Sequence, residues 1–249
     1  MQVDVGQWPL SGPRSRQLLR FLAELAMVSF LMLVYFSIRQ GLPEPVEEAR
    51  ARSVQIIELE QNLGIYVEHK LQQYVIDNHF LRSAANQFYI WAHFPVIIAL
   101  AVWLYWQDRS KYTLYRNTLL MSAVVGLFAY GLFPTAPPRL MPPEWGFIDT
   151  LSHAGEPATF VNNYAAVPSY HFGWVFLALV AVFHTSRNLW LRGAILAITV
   201  AMFFAVVVTA NHFILDMVAG VAIVLAMLGL SYLWQSGRIQ RAVLSRLRT

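Results

Sequence analysis

Long apolar runs, each ending in charged or turn-forming residues, dominate this chain. A helix that crosses lipid needs about 20 apolar residues. Six runs approach that length, at 18–38, 87–107, 116–133, 171–186, 190–210 and 212–234. Lipid offers no water to open backbone groups, so each run is expected to be a helix. The fourth is short and is expected to be extended by the loop before it. The second opens with Phe88-Tyr89-Ile90-Trp91 and closes with Trp103-Leu104-Tyr105-Trp106, a pattern expected at membrane interfaces. The predicted fold is an all-α integral membrane protein, a six-transmembrane helical bundle.

The segment 39–86 breaks this pattern. After Gly41-Leu42-Pro43-Glu44-Pro45, the residues Val54, Ile57, Leu59, Leu63, Val67 and Leu71 recur at near-helical spacing among charged positions. Two amphipathic interfacial helices, split near Asn62-Leu63-Gly64, are expected between the first and second spans. Glu60 and Glu68 fall in this segment and are expected on its solvated face. A second connection, 134–170, is rich in Pro and Gly. The expected organisation is a tail at 1–17, a six-span domain at 18–235 and a basic tail at 236–249. The first run lacks a small-residue cleavage site and is expected to be a retained span.

Charge adds orientation. Of the 18 Lys and Arg residues, 12 fall at the ends that share a side with the N-terminus, among them Arg14, Arg20, Arg109, Lys111, Arg116, Arg192 and Arg241. Basic residues accumulate on the inner side of a membrane. Both termini are therefore expected in the cytoplasm of a multi-pass plasma (inner) membrane protein. The 39–86 and 134–170 loops then face the periplasm or exterior. The same clustering accounts for the sequence pI of about 9.5 without nucleic acid. The chain has no cysteine, which excludes disulfides and thiol chemistry.

Candidate chemistry lies where apolar runs meet the outer loops. His212 and Asp216 are four apart, one face of a helix. A carboxylate beside an imidazole sets its tautomer and raises its basicity. His171 can exchange a proton with a leaving group. Arg139 offers a planar fork for two oxygens of an oxyanion. Ser169 and the amides that open the fourth run can also hold an anion. Nothing in this set calls for a metal or other cofactor. Each residue also has a plainer reading: Arg139 snorkelling to head groups, Ser169 as a helix cap, His212 and Asp216 as a proton relay in a lipid carrier. An intramembrane Asp is costly enough to favour a functional role.

The order Pro138-Arg139, Pro168-Ser169-Tyr170-His171 and His212-Phe213-Ile214-Leu215-Asp216 resembles the type 2 phosphatidic acid phosphatase superfamily. The tracts Ala92-His93-Phe94-Pro95, Phe133 to Leu140 and Asn163 to His171 are similar to bacterial members of the branch related to inositol phosphorylceramide synthase. The resemblance runs from Glu60 through the sixth span. It implies a membrane lipid substrate, His212 as a nucleophile that becomes phosphohistidine, His171 as acid and base, Asp216 as partner of His212, and Arg139 and Ser169 on the phosphate. Two cations of the family pattern are missing, since Leu132 and Val206 stand in their places. His93, Tyr164, Tyr170 and Asn211 are candidate pocket residues that can compensate. A phosphatase is the expected activity, with head-group phosphotransfer as the alternative. The identity of the lipid and the oligomeric state are left open.

Overall fold

The computed structural model describes residues 13–152, 161–237 and 241. The tail expected at 1–17 and the basic tail expected at 236–249 fall largely outside these, as does 153–160 of the second loop. The described residues form nine α-helices: α1 (Pro13–Gln40), α2 (Val46–Asn62), α3 (Glu68–Ile76), α4 (His79–Trp91), α5 (His93–Gln107), α6 (Arg109–Leu132), α7 (Tyr170–Thr185), α8 (Leu189–Val208) and α9 (Ile214–Gln235). Among them there is no strand, and a single parallel bridge joins Thr135 to Ala165.

Among the described residues, three helices are long and apolar enough to cross a membrane: the stretch Ser15–Gln40 of α1, α8 and α9. A fourth span results if α4 and α5 are counted together. The run expected at 87–107 is thus two helices meeting at a 43° bend. Pro95 explains the bend. It has no N–H for the carbonyl of Trp91, and its ring crowds that carbonyl. The third and fourth expected runs are also helical. However, α6 carries Arg109, Lys111 and Arg116 near its start, and α7 has only 16 residues. In α1 only 6% of the most apolar 18-residue window is buried, so Leu22, Leu25, Phe30 and Leu33 stand bare. An apolar surface of that extent is compatible with insertion in lipid.

The aromatic residues expected at interfaces divide by side. Trp91 and Trp106 are exposed, whereas Tyr89 and Tyr105 are buried. One helix face looks outward and the other packs, which a reading of the run as a whole does not separate.

The core forms where α7 lies against α5, α8 and α9, with α9 also against α6. Small residues permit the closest approach. A Cβ added to Gly220 would lie 2.3 Å from the Ser169 carbonyl oxygen, and one added to Gly173 would lie 3.2 Å from Gly220 backbone. These contacts lock the start of α7 onto the first turns of α9. Polar caps set several helix starts: Asn78 accepts from the Leu81 N–H, Asp108 from the Lys111 N–H, and Asn188 from the Trp190 N–H.

The split between α2 and α3 falls at Asn62-Leu63-Gly64, where Gly64 takes a φ of 70°. Both helices pack onto the rest of the protein. Ser53 donates to the Ala136 carbonyl at 2.8 Å, and Gln72 donates to the Ile148 carbonyl at 2.8 Å. The Pro-rich connection is pinned between them and the helix ends.

Candidate active site

The end of the bundle where α1 and α6 finish and α7 and α9 begin contains a cavity of about 300 Å³. Its walls include Tyr35, Arg39, Tyr89, His93, Tyr130, Arg139, His171, Asn211 and His212. Residues far apart in sequence meet there because the ends of α4 and α5 converge on the same place.

His171 sits in the first turn of α7, and its ring centre is 6.1 Å from that of His212. The His93 ring centre is 4.1 Å from that of His171, and Tyr89 stacks on His171 at 4.3 Å. His93 opens α5 just after the bend, so the Pro95 kink is what turns it inward. The cavity lining is mostly apolar, so hydrogen bonds and charges there act more strongly than in water.

His212 and Asp216 do meet, but not as a helical pair. The chain turns at Ala210, whose φ is 54°, and His212 precedes the helix in an irregular segment. Asp216 is at the third position of α9, and its Oδ2 accepts the Phe213 N–H at 2.9 Å. The same oxygen is 3.4 Å from His212 Nδ1. A capping carboxylate, not an i,i+4 stripe, therefore faces the imidazole. This leaves His212 Nε2 as the ring nitrogen not facing Asp216.

Arg139 follows the connection Pro134–Pro138 in a short 3-10 turn. Its N–H donates to the Ala210 carbonyl at 2.8 Å, and its Nε donates to Asn211 Oδ1 at 2.9 Å. Nη1 is 3.3 Å from Asp149 Oδ2. Asn211 is oriented in turn by donating to Thr209 Oγ1 at 2.8 Å. The guanidinium and the His212 loop are thus one hydrogen-bonded unit.

The remaining candidates divide. Ser169 is fully buried behind the cavity wall; its N–H donates to the Asp216 carbonyl at 2.9 Å, and its hydroxyl has no partner among the described residues. Tyr170 reaches the wall, but its hydroxyl donates to the Ser122 carbonyl and its ring stacks on Trp174, a packing role. Tyr164 does not line the cavity. It packs beside Ala136, Met141 and Phe213, because its backbone pairs with Thr135 and turns the ring that way.

Neither of the two positions that lack a cation lines the cavity. Leu132 is 75% exposed at the end of α6, and Val206 is buried in the apolar cluster with Tyr89 and Val175. The cavity has a second guanidinium from elsewhere. Arg39, near the end of α1, lines it with its Cζ 5.3 Å from the Tyr130 ring centre. In the sequence Arg39 only opens the charged 39–86 segment. Its signal was the spacing from Tyr35, four residues earlier and on the same face.

Glu60 and Glu68 overturn their expected solvated placement, since both are fully buried. Glu60 Oε1 accepts the Leu215 N–H at 2.8 Å, and Glu68 Oε1 accepts the Ile214 N–H at 2.8 Å. The first amides of α9 are orphan donors by construction. Here α2 and α3 supply the acceptors and so grip the turn behind His212.

Apolar helices, with clustered imidazoles and a guanidinium lining one cavity, define a helical protein suited to holding an oxyanion. No curated protein and no solved structure matches the chain. The family model described as the PAP2 superfamily matches residues 54–230, more than two thirds of the chain, which therefore belongs to that superfamily. Its members are generally phosphoesterases, phosphatases or phosphotransferases of lipid phosphates. The match begins after α1, so Tyr35 and Arg39 lie outside it.

Proposed function

We propose that the protein is a six-span lipid-phosphate phosphatase whose cavity opens toward the outer leaflet. The observation that carries this reading is the placement of His171 and His212, 6.1 Å apart, with Arg139 and Asn211 on the same cavity. The positive-inside distribution of Lys and Arg supports cytoplasmic termini in the plasma membrane.

His212 Nε2 attacks phosphorus, because Nδ1 is turned to Asp216. The P–O ester bond breaks as the P–N bond forms, and His171 gives its proton to the departing alkoxide. Asp216 stabilises the charge that develops on the His212 ring. His171 then removes a proton from water, the resulting hydroxide displaces His212 from phosphorus, and inorganic phosphate leaves. Arg139 and Arg39, both on the cavity wall, hold the non-bridging oxygens through the transition state. Phe36 and Phe94, whose rings meet at 5.7 Å between α1 and α5, give the cavity an apolar wall suited to the lipid's hydrocarbon part.

If an alcohol replaces water in the second half, the same groups perform head-group phosphotransfer, as the resemblance to the inositol phosphorylceramide synthase branch suggests. The test is to incubate purified protein with labelled lipid phosphates, without added metal. Release of inorganic phosphate supports hydrolysis, and a new phospholipid supports transfer. Full turnover by His212→Ala, or lipid movement driven by a pH gradient with no covalent intermediate, overturns the proposal.

A further inference from the structure

We infer that Glu60 and Glu68 form an acid–carboxylate pair that shares one proton and positions the nucleophile-bearing turn at the start of α9. This inference rests on the assignment of His212 as nucleophile, and it extends the site to helices outside the bundle core.

The hydrogen-bond pattern specifies the proton. Glu68 accepts at both oxygens, Oε1 from the Ile214 N–H at 2.8 Å and Oε2 from the Val67 N–H at 3.0 Å. Glu60 accepts at Oε1 from the Leu215 N–H, while its Oε2 is buried with no partner among the described residues. Two ionised carboxylates side by side and fully buried repel each other, and an unmet oxygen adds a desolvation penalty. One proton on Glu60 Oε2, directed to Glu68, removes both problems. The ionisable groups that act on Glu60 are Glu68 from α3, Asp216 from α9 and Tyr66 from the α2–α3 link, all of them acids. Burial first, and then the neighbouring Glu68 carboxyl, push the Glu60 carboxyl up to about 9.

The mechanical consequence follows from sequence position. Ile214 and Leu215 come two and three residues after His212, and Asp216 comes next. With their amides held by α2 and α3, the helix start cannot rotate about its own axis. The Phe213 N–H is then left to the Asp216 carboxylate that faces His212. Loss of the shared proton drives Glu60 from Glu68 and loosens the Leu215 amide. The Asp216–His212 geometry loosens with it, by a distance that catalysis registers strongly.

Two readouts test this on the full-length protein in detergent. The first is infrared difference spectroscopy, which does not depend on turnover. Wild type at neutral pH should show a protonated carboxylic-acid band that Glu60→Gln abolishes. Persistence of the band in Glu60→Gln overturns the proposal. The second is kinetics on a lipid phosphate. Glu60→Ala should lower kcat at least tenfold with little change in KM, and Glu60→Gln should recover most of that loss. The alkaline fall of kcat should be present in wild type and absent in Glu60→Gln. Equal kcat and equal pH profiles for the Ala and Gln variants also overturn the proposal. Failure of the His212 assignment would appear separately, as turnover by His212→Ala with the infrared result unaltered.

Discussion

Arg139 Nε donates to Asn211 Oδ1 at 2.9 Å, so the cation of one loop is steered by the residue beside the nucleophile candidate of another. The two are 72 positions apart, and neither is placed by its own helix. This cross-brace makes the Arg139 guanidinium and the loop that carries His212 a single structural unit. Hydrogen bonds to a charged group contribute about 1.5–3 kcal/mol. Asn211→Ala is therefore expected to lower kcat/KM by roughly ten- to a hundredfold, chiefly through KM. Inhibition by inorganic phosphate or vanadate should weaken in parallel. A variant that loses kcat with unchanged phosphate inhibition would show that Asn211 does not act through Arg139.

Asp216 has two tasks that substitution can separate. Asp216→Asn keeps an acceptor for the Phe213 N–H but removes the charge facing His212. It should fold normally and lose kcat by a factor on the order of 100 to 10,000. Asp216→Ala should lose as much activity and, in addition, about 1 kcal/mol of stability with the cap. Thermal unfolding of the two variants in the same detergent reads the difference.

His171→Ala should trap the phosphoenzyme with substrates whose leaving group needs no proton. Acid-labile, base-stable label on the protein, lost in His171→Ala/His212→Ala, is the expected result. Absence of label in both would remove His171 from its role in the second step.

Gly220 lets Ser169 and α9 touch. The added methyl of Gly220→Ala would meet backbone at 2.3 Å, so the start of α7 must move and carry His171 with it. Displacement of about 1 Å at a reacting group can lower the rate a hundredfold, and overpacking of this kind destabilises by about 1–3 kcal/mol. Gly193→Ala, where an added Cβ meets nothing within 4 Å, is the control and should leave kcat unchanged.

Stability should depend on pH through Glu60. In the unfolded chain its carboxyl loses a proton near pH 4.3, and in the folded protein only at about 9. Between these values the folded state holds the extra proton. Stability is then full below the lower value and declines as pH rises through the window, levelling off above about 9. Melting temperature measured across that window should fall in wild type and be flatter in Glu60→Gln.

The apolar runs and their punctuation determined much of the architecture. Each expected run is helical, the break after Asn62 falls where Gly64 permits it, and the His and Arg motifs lie at helix ends. These features are local: period, length and turn chemistry are written in consecutive residues. Tertiary structure alone decided which side chains share the cavity. In sequence Arg39 is a charge of the outer loop, Tyr89 an interfacial ring, and Glu60 and Glu68 a wet helix face. Each was redirected by a partner far away in sequence: the Tyr130 ring, the His171 imidazole, the amides of Ile214 and Leu215. Burial of a carboxylate is tolerable only when donors await it, and donors on another helix leave no trace in the residues around the acid.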